Sequence, residues 1–171
     1  MATAGRGKRR TFPTYEALDR AVKSSTWTRR LMNLWPPLLF SSIRIVESDE
    51  QWRHLVVRLR HRKLTANYVG TLYGGSLFSM TDPFWMMMIA RNLGREYTVW
   101  DARGEIRYVS PGRRDVTTTF EVTEADLDEL RAETADGERH LRWFSNQIVD
   151  AEGVLVAEVR KQVYIRKRPR D

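Results

Sequence analysis

A short segment near the middle of the chain carries the residue types that acyl-transfer chemistry needs. Gly74 and Gly75 precede an apolar run with helical character, and Asp82 lies seven residues after the second glycine. Glycines at a helix start let a substrate approach the backbone, and the unpaired N–H groups there can stabilise an oxyanion. Asp82 is the only acidic residue between Gly75 and Arg91. A carboxylate among apolar side chains is costly to bury unless it has a partner or a function.

Some of these residues also have simpler interpretations, and these stay open at this stage. Asp82 can cap a helix that restarts at Pro83, because proline favours the first helical position after such a cap. Asn67 can stabilise its own loop by bonding to nearby backbone. Ser76 follows the glycines but lacks the Gly-x-Ser-x-Gly context of a serine nucleophile. We therefore discount Ser76 as a nucleophile.

The elements that must position these residues follow an α+β pattern. Two helical segments precede all strands. The first is capped by Thr14, and the second runs from Trp27 to Trp35 and ends at Pro36-Pro37. Period-two alternation then predicts a hairpin that turns near residues 49–52, and later four further strands. These later strands span 98–108, 116–122, 141–149 and 154–165, with an acidic helix at 125–135 after the second of them.

The apolar run after Gly75 determines the expected fold class. A helix that is apolar all round must be wrapped by other structure, and the stretch at 84–90 is too short to span a bilayer. We therefore expect an antiparallel sheet that curls around one central helix, with Gly104 helping the curvature. The expected organisation is a disordered basic arm at 1–12, a single domain at 13–166 and a basic tail at 167–171.

Two patterns in the last strands bear on the site. Residues 98–108 alternate, which predicts one buried and one solvent-facing side. Lys161 interrupts the apolar parity of Val159 and Val163. A bulge or an exposed strand end is the expected explanation, and a role near a bound anionic cofactor is the alternative.

Charge and composition exclude several function classes. The formal net charge of +7 is concentrated at the two ends, and residues 11–165 are net neutral, so no nucleic-acid partner is expected. The absence of cysteine excludes disulfides and thiolate catalysis and fits a cytoplasmic location. His54, His61 and His140 show no zinc spacing, so we expect no metal and no cofactor. No secretory signal and no transmembrane segment are expected.

The segment from Asn67 to Asp82 reads Asn-x6-Gly-Gly-x2-Phe-x3-Asp and resembles the hotdog superfamily. Its spacing is similar to that of the phenylacetyl-CoA thioesterase-like branch. The Asp82-Pro83 step and the Val-Trp-Asp-Ala run at 99–102 resemble an uncharacterised bacterial branch of the same superfamily. The strand order extends the resemblance, more loosely, over residues 40–165.

The resemblance implies hydrolysis of an acyl-CoA or a related acyl thioester by a homodimer or homotetramer. Asp82 would act as the nucleophile or as the general base toward water, and the Gly75 N–H would polarise the thioester carbonyl. Asn67 would orient the carbonyl or the water. The site would lie between subunits, with Asp82 facing the glycine turn of its neighbour.

The sequence departs from the family pattern at two positions. Tyr73 stands where many thioesterases of this branch carry His, and Pro83 follows the acid and removes an intrahelical hydrogen bond. Substrate contacts are expected at Tyr73, Gly74 and Ser76, and at Arg113 and Arg114, which could reach CoA phosphates. The missing His favours one alternative, a non-catalytic hotdog protein that binds an acyl thioester or lipid. A hotdog hydratase or dehydratase is a further alternative.

Overall fold

The computed structural model describes residues 25–169, which form five helices and six strands. The helices are α1 (Ser25–Leu34), α2 (Pro36–Phe40), α3 (Gly74–Ser79), α4 (Phe84–Leu93) and α5 (Glu124–Glu133). The strands are β1 (Ile43–Ser48), β2 (His54–Leu59), β3 (Tyr97–Tyr108), β4 (Val116–Glu121), β5 (Arg139–Asp150) and β6 (Leu155–Lys167). No helix in this part of the chain is both long enough and apolar enough to cross a membrane.

The strands form one curved antiparallel sheet in the order β1-β2-β4-β5-β6-β3. The α+β class is therefore confirmed. The predicted hairpin is also present, since β1 pairs with β2 across a turn at the expected place. Both β1 and β3 are edge strands, and β3 places its twelve residues along one margin of the sheet.

The core lies between the sheet and α4. Phe84 and Trp85 at the start of this helix are buried, and both rings lie 5.3 Å from the ring of Phe120 on β4. Trp85 also stacks on Phe144 of β5 at a centroid distance of 4.6 Å. Burying aromatic rings of this size contributes a large share of the hydrophobic stabilisation. The contacts fix the start of α4, and hence the residues just before it, against the middle of the sheet.

The single central helix expected from the apolar run is two helices. α3 ends at Ser79 and α4 begins at Phe84, and Pro83 occupies the N-cap position of α4. Proline lacks an N–H donor and disfavours helical backbone in the residue before it. That residue is Asp82, so the acid lies in the break between the two helices and not within a helix.

A bulge changes which side chains of β3 face the core. The pairing of β3 with β6 shifts between Asp101 and Arg103, so Ala102 is an extra residue. Val99 and Ile106 both pack against the core although they have opposite parity. The prediction that one parity is buried throughout the strand is therefore wrong, because the bulge exchanges the two faces.

The chain ends differ from the sequence reading in detail. The predicted helix capped by Thr14 and the arm at 1–12 lie outside the described residues. Pro36 and Pro37 begin α2 after they end α1, since proline suits the first turn of a helix. At the other end β6 continues to Lys167, and Arg168 donates its backbone N–H to the Glu96 carbonyl at 2.7 Å.

Candidate active site

Asp82 forms an ion pair with a lysine that lies 79 residues later in the sequence, on β6. Lys161 Nζ donates to Asp82 Oδ1 at 2.6 Å. The lysine side chain is 5% exposed, whereas the Asp82 side chain is 49% exposed. The pair therefore has a buried cationic end and a carboxylate that reaches solvent. A charge-assisted hydrogen bond of this kind holds the carboxylate in a fixed position.

The burial of Lys161 follows from its place on β6. It lies on the inner face with Val159 and Val163, and its ammonium nitrogen lies 4.3 Å from the centre of the Phe78 ring. A cation over an aromatic face gains electrostatic attraction. The bulge beside Lys161 lies on β3, and the alternation of β6 is regular from Ala157 to Ile165. The interpretation of Lys161 as an exposed strand end or a bulge is therefore wrong.

Asp101 is the third ionisable group of this cluster, because it lies on the same face of β3 as Tyr97 and Val99, which pack against the core. Burial raises the pKa of Asp101 from 3.8 to about 6; Lys161 lowers it, and the charge of Asp82 and a hydrogen bond with it raise it further. One oxygen, Oδ1, is buried and has no hydrogen-bond partner among the described residues. Asp101 therefore releases its proton close to neutral pH, beside the Asp82 carboxylate.

Gly104 provides the space for this cluster. A methyl group on Gly104 would lie 2.5 Å from Phe78 Cζ and 3.3 Å from Lys161 Cδ. The absence of a side chain thus lets the Phe78 ring and the Lys161 stem pack directly on β3. The close contacts with Phe78 and Lys161 require a residue without a side chain at this position. That Gly104 also helps the strand to curve stays a prediction.

The capping interpretation of Asp82 is wrong. The N-cap position of α4 is Pro83, and no side chain caps this helix end. The Asp82 carboxylate instead accepts a hydrogen bond from the Lys161 ammonium group. Its position between two helices therefore serves the ion pair and not the start of α4.

The glycine turn begins α3. Gly74 and Gly75 are its first two residues, Tyr73 is its N-cap residue, and no side chain caps this end. N–H groups at such positions have no intrahelical partner. The Tyr73 ring covers Gly75, since a methyl group there would lie 2.4 Å from Tyr73 Cε1. Tyr108 Oη donates to the Gly74 carbonyl at 3.1 Å, which ties the turn to the end of β3.

The Asn67 side chain is engaged within its own loop. Its Oδ1 accepts the backbone N–H of Val69 at 3.1 Å and that of Thr71 at 3.0 Å. Its Nδ2 donates to Thr71 Oγ1 at 2.8 Å and approaches the Leu72 carbonyl at 3.5 Å. The loop-stabilising interpretation of Asn67 agrees with these bonds. A role toward substrate would require Nδ2 to exchange one of them.

A groove of about 520 Å³ lies beside the glycine turn. Its walls come from the Asn67 loop, the start of α3 and the end of β3 with the turn that follows, and they include Asn67, Gly74 and Arg113. Asp82 does not line it. Ser76 is buried and also lies outside the lining, and Arg114 forms an ion pair with Glu152. Within one chain, the structure thus brings together only part of the predicted site.

Lys161 and Asp101 are the members of the cluster that the sequence reading did not assign. The parity of Lys161 carried a signal, because a lysine among inward-facing apolar residues needs a buried partner. Asp101 belongs to the Val-Trp-Asp-Ala run and shares the inner face with Tyr97 and Val99, but the opposite parity faces inward after the bulge at Ala102. Nothing in the residue pattern marks that bulge.

Comparisons with known proteins agree with this fold. Residues 24–165 match the model of a family described as a domain of unknown function, DUF4442. No curated protein matches the chain. One similar solved structure is a Pseudomonas aeruginosa protein of unknown function that is named a probable thioesterase. Its TM-score is 0.74 at 16% sequence identity, and the match covers 84% of this chain and 96% of the Pseudomonas chain.

Two further solved structures are similar over most of their length. A thioesterase of Haemophilus influenzae has a TM-score of 0.60 and 16% identity, with 93% of this chain and 94% of that chain covered. A Chlorobaculum tepidum protein of unknown function has a TM-score of 0.65 and 13% identity, with 90% of this chain and 96% of that chain covered. The expected resemblance to an uncharacterised branch of the hotdog superfamily is confirmed. The chain belongs to the family described as a domain of unknown function, DUF4442, and has the hotdog-type fold of these structural relatives.

Proposed function

We propose that this protein hydrolyses an acyl-CoA or a related acyl thioester at a site shared between two subunits. The observation that carries the proposal is the Asp82 carboxylate, held by a buried lysine and still half-exposed to solvent. A fixed, accessible carboxylate next to an apolar core is suited to activate water near an acyl group. The names of the similar Pseudomonas and Haemophilus proteins point to the same class of reaction.

The separation of Asp82 from the groove supports a shared site. The groove is lined by Gly74 at the helix start, by Asn67 and by Arg113, but not by the acid. A second subunit that placed its own Asp82 against this groove would add the acid that the proposed active site needs. Arg113 would then lie where it could meet a phosphate of CoA.

In the proposed reaction Asp82 acts as a general base. It takes a proton from water while the water oxygen attacks the thioester carbonyl carbon, and the carbonyl electrons move to the oxygen. The Gly75 N–H of the neighbouring subunit stabilises that oxyanion. Collapse of the tetrahedral intermediate breaks the C–S bond, and the leaving thiolate takes the proton from Asp82. The products are a carboxylic acid and a free thiol.

A second candidate, a non-catalytic protein that binds an acyl thioester or lipid, is favoured by two observations. The Tyr73 ring covers Gly75, where the oxyanion would have to approach. The Asn67 amide is already used within its own loop. In this alternative the groove would hold the ligand, and Asp82 would be a structural ion-pair partner.

A hydratase or dehydratase is less well supported. Such a reaction needs an acid paired with a His across the pocket. Among the described residues, His61 Nε2 bonds to the Gly70 carbonyl at 2.9 Å and His140 pairs with Glu133 at 2.9 Å. His54 lies on β2, which pairs with β1 and β4. None of the three contacts Asp82.

A panel of acyl-CoAs of differing chain length tests the proposal. Release of free thiol is measured with each member, and binding of the same compounds is measured by calorimetry. We expect turnover with at least one chain length, above the rate of the buffer and of heat-denatured protein. Binding without thiol release across the panel would contradict hydrolysis and support the non-catalytic alternative.

A further inference from the structure

Asp101 and Lys161 are more than packing partners of Asp82. We propose that both are positioning residues for the Asp82 carboxylate, and that Asp82 activates water only after Asp101 has released its proton. The inference rests on the proposed function, because it assigns Asp82 the role of the base. It adds a proton-controlled switch to that site.

The geometry gives Asp101 two distinct effects on Asp82. When Asp101 is protonated, its hydroxyl can donate a hydrogen bond to the Asp82 carboxylate, which already accepts one from Lys161 Nζ at 2.6 Å. A carboxylate with two donors has fewer free lone pairs for a water molecule. When Asp101 is ionised, that donor is lost, and the lone pair of the Asp82 carboxylate that it occupied is free to accept a hydrogen bond from water.

Among the described residues, Asp82 and Lys161 are the charged groups that act on Asp101, and their effects add to the larger effect of burial. Asp82 from the break between α3 and α4 and Lys161 from β6 are its charged neighbours. The nearby charged residues of β3 and β6 pair with one another away from it, as Arg103 and Arg160 both contact Glu105. Both arginines also stack on the Trp143 ring on the outer face of the sheet.

The position of the switch on the pH scale follows from burial. Burial raises the pKa of Asp101 to about 6, so the proton is released over the pH range just below neutral. The oxygen Oδ1 has no partner among the described residues, which is consistent with a group that changes its protonation state. Turnover at saturating substrate should therefore rise about tenfold between pH 5 and pH 8, since the ionised fraction of Asp101 rises by about that factor.

Asp101→Asn removes the titrating carboxyl group and keeps the shape of the side chain. The Asn amide is a permanent donor to Asp82, so kcat should stay at or below the low-pH value of the parent, at least about tenfold under the parent at pH 8. The kcat profile should lose its rise near pH 6 while KM stays within about twofold. Asp128→Asn, at an exposed site on α5, is the matched control and should keep the parent profile. A retained rise near pH 6 in Asp101→Asn would overturn the inference.

A measurement without substrate separates this inference from the proposed function. Carbon-13 NMR follows the Asp101 carboxyl through a pH titration in the parent, in Asp82→Asn and in Lys161→Met. Because the Asp82 charge raises the pKa of Asp101 and Lys161 lowers it, we expect the midpoint to fall in Asp82→Asn and to rise in Lys161→Met. The expected shifts without any turnover would refute the hydrolase and keep the coupled cluster. An unmoved midpoint in both folded variants would refute the coupling even if hydrolysis is found.

Discussion

At the scale of single residues, the site depends on a lysine that the sheet buries. Lysine is almost never fully buried without a partner, because removing an ammonium from water costs several kcal/mol. Here Asp82 and Asp101 supply opposite charge, and Phe78 supplies an aromatic face. Replacing one partner alone would leave a buried charge uncompensated. The cluster therefore has to be treated as a unit when variants are interpreted.

The raised pKa of Asp101 predicts a pH-dependent effect on stability. Between pH 3.8 and about pH 6, the folded state binds more protons at Asp101 than the unfolded state does. This residue therefore makes folding less favourable as pH rises through that range. Asp101→Asn removes the titration, so its stability relative to the parent should increase from pH 4 to pH 7 by on the order of 1–2 kcal/mol, allowing for screening.

Urea denaturation at the two pH values, monitored by tryptophan fluorescence, measures this difference. Ser145→Ala at an exposed position of β5, which has no titrating group, serves as the control and should give the same difference from the parent at both pH values. A free energy of unfolding of Asp101→Asn that falls relative to that of the parent as pH rises from 4 to 7 would contradict the assigned direction of the shift.

At the scale of elements, regular patterns were predictable and local interruptions were not. Period-two runs located β2 and β4 because their alternate residues, such as Val57 and Phe120, face a core. The bulge at Ala102 carries no composition signal, so the faces of β3 were assigned without it. The break before α4 had a signal in Pro83, but the partner of Asp82 lies 79 residues away on β6. Long-range pairing of this kind is not encoded in local spacing.

The contact between α4 and β5 contains a buried polar bridge that can be tested. Trp85 Nε1 donates to Asn146 Oδ1 at 2.5 Å, and Asn146 Nδ2 donates to the Thr119 carbonyl at 2.6 Å. Asn146→Ala would leave both groups without this partner, so we expect a loss of about 2–4 kcal/mol in the free energy of unfolding. Chemical denaturation measures it, with Ser145→Ala on the exposed face as control. A loss below about 0.5 kcal/mol would contradict the assigned role of the bridge.

At the scale of the whole molecule, one chain leaves apolar side chains and a strand edge exposed. Leu64, Tyr68 and Val69 of the loop before α3 are exposed, as is Tyr73 at its start. β3 lies at the edge of the sheet along its full length. Exposed apolar clusters and unpaired edges mark surfaces that other chains cover. These features are what a shared active site would need.

We therefore expect the protein to be at least a dimer at micromolar concentration. Burial of the exposed loop and pairing at the β3 edge would provide the driving force. Light scattering coupled to size exclusion gives the mass directly. Tyr68→Lys, which places a charge on the loop, should shift the equilibrium toward the monomer, whereas the exposed Asp128→Asn should not. A monomer mass for the parent would remove the shared site.

The most direct measurement of the central claim compares thioester hydrolysis by the parent and by Asp82→Asn. The amide keeps the size of the side chain but cannot take a proton from water. With the acyl-CoA that the parent turns over best, we expect kcat to fall by at least about two orders of magnitude while circular dichroism shows that the fold is kept. Asp128→Asn should retain the parent rate. Equal turnover by Asp82→Asn and the parent would contradict the assignment of Asp82 as the catalytic base.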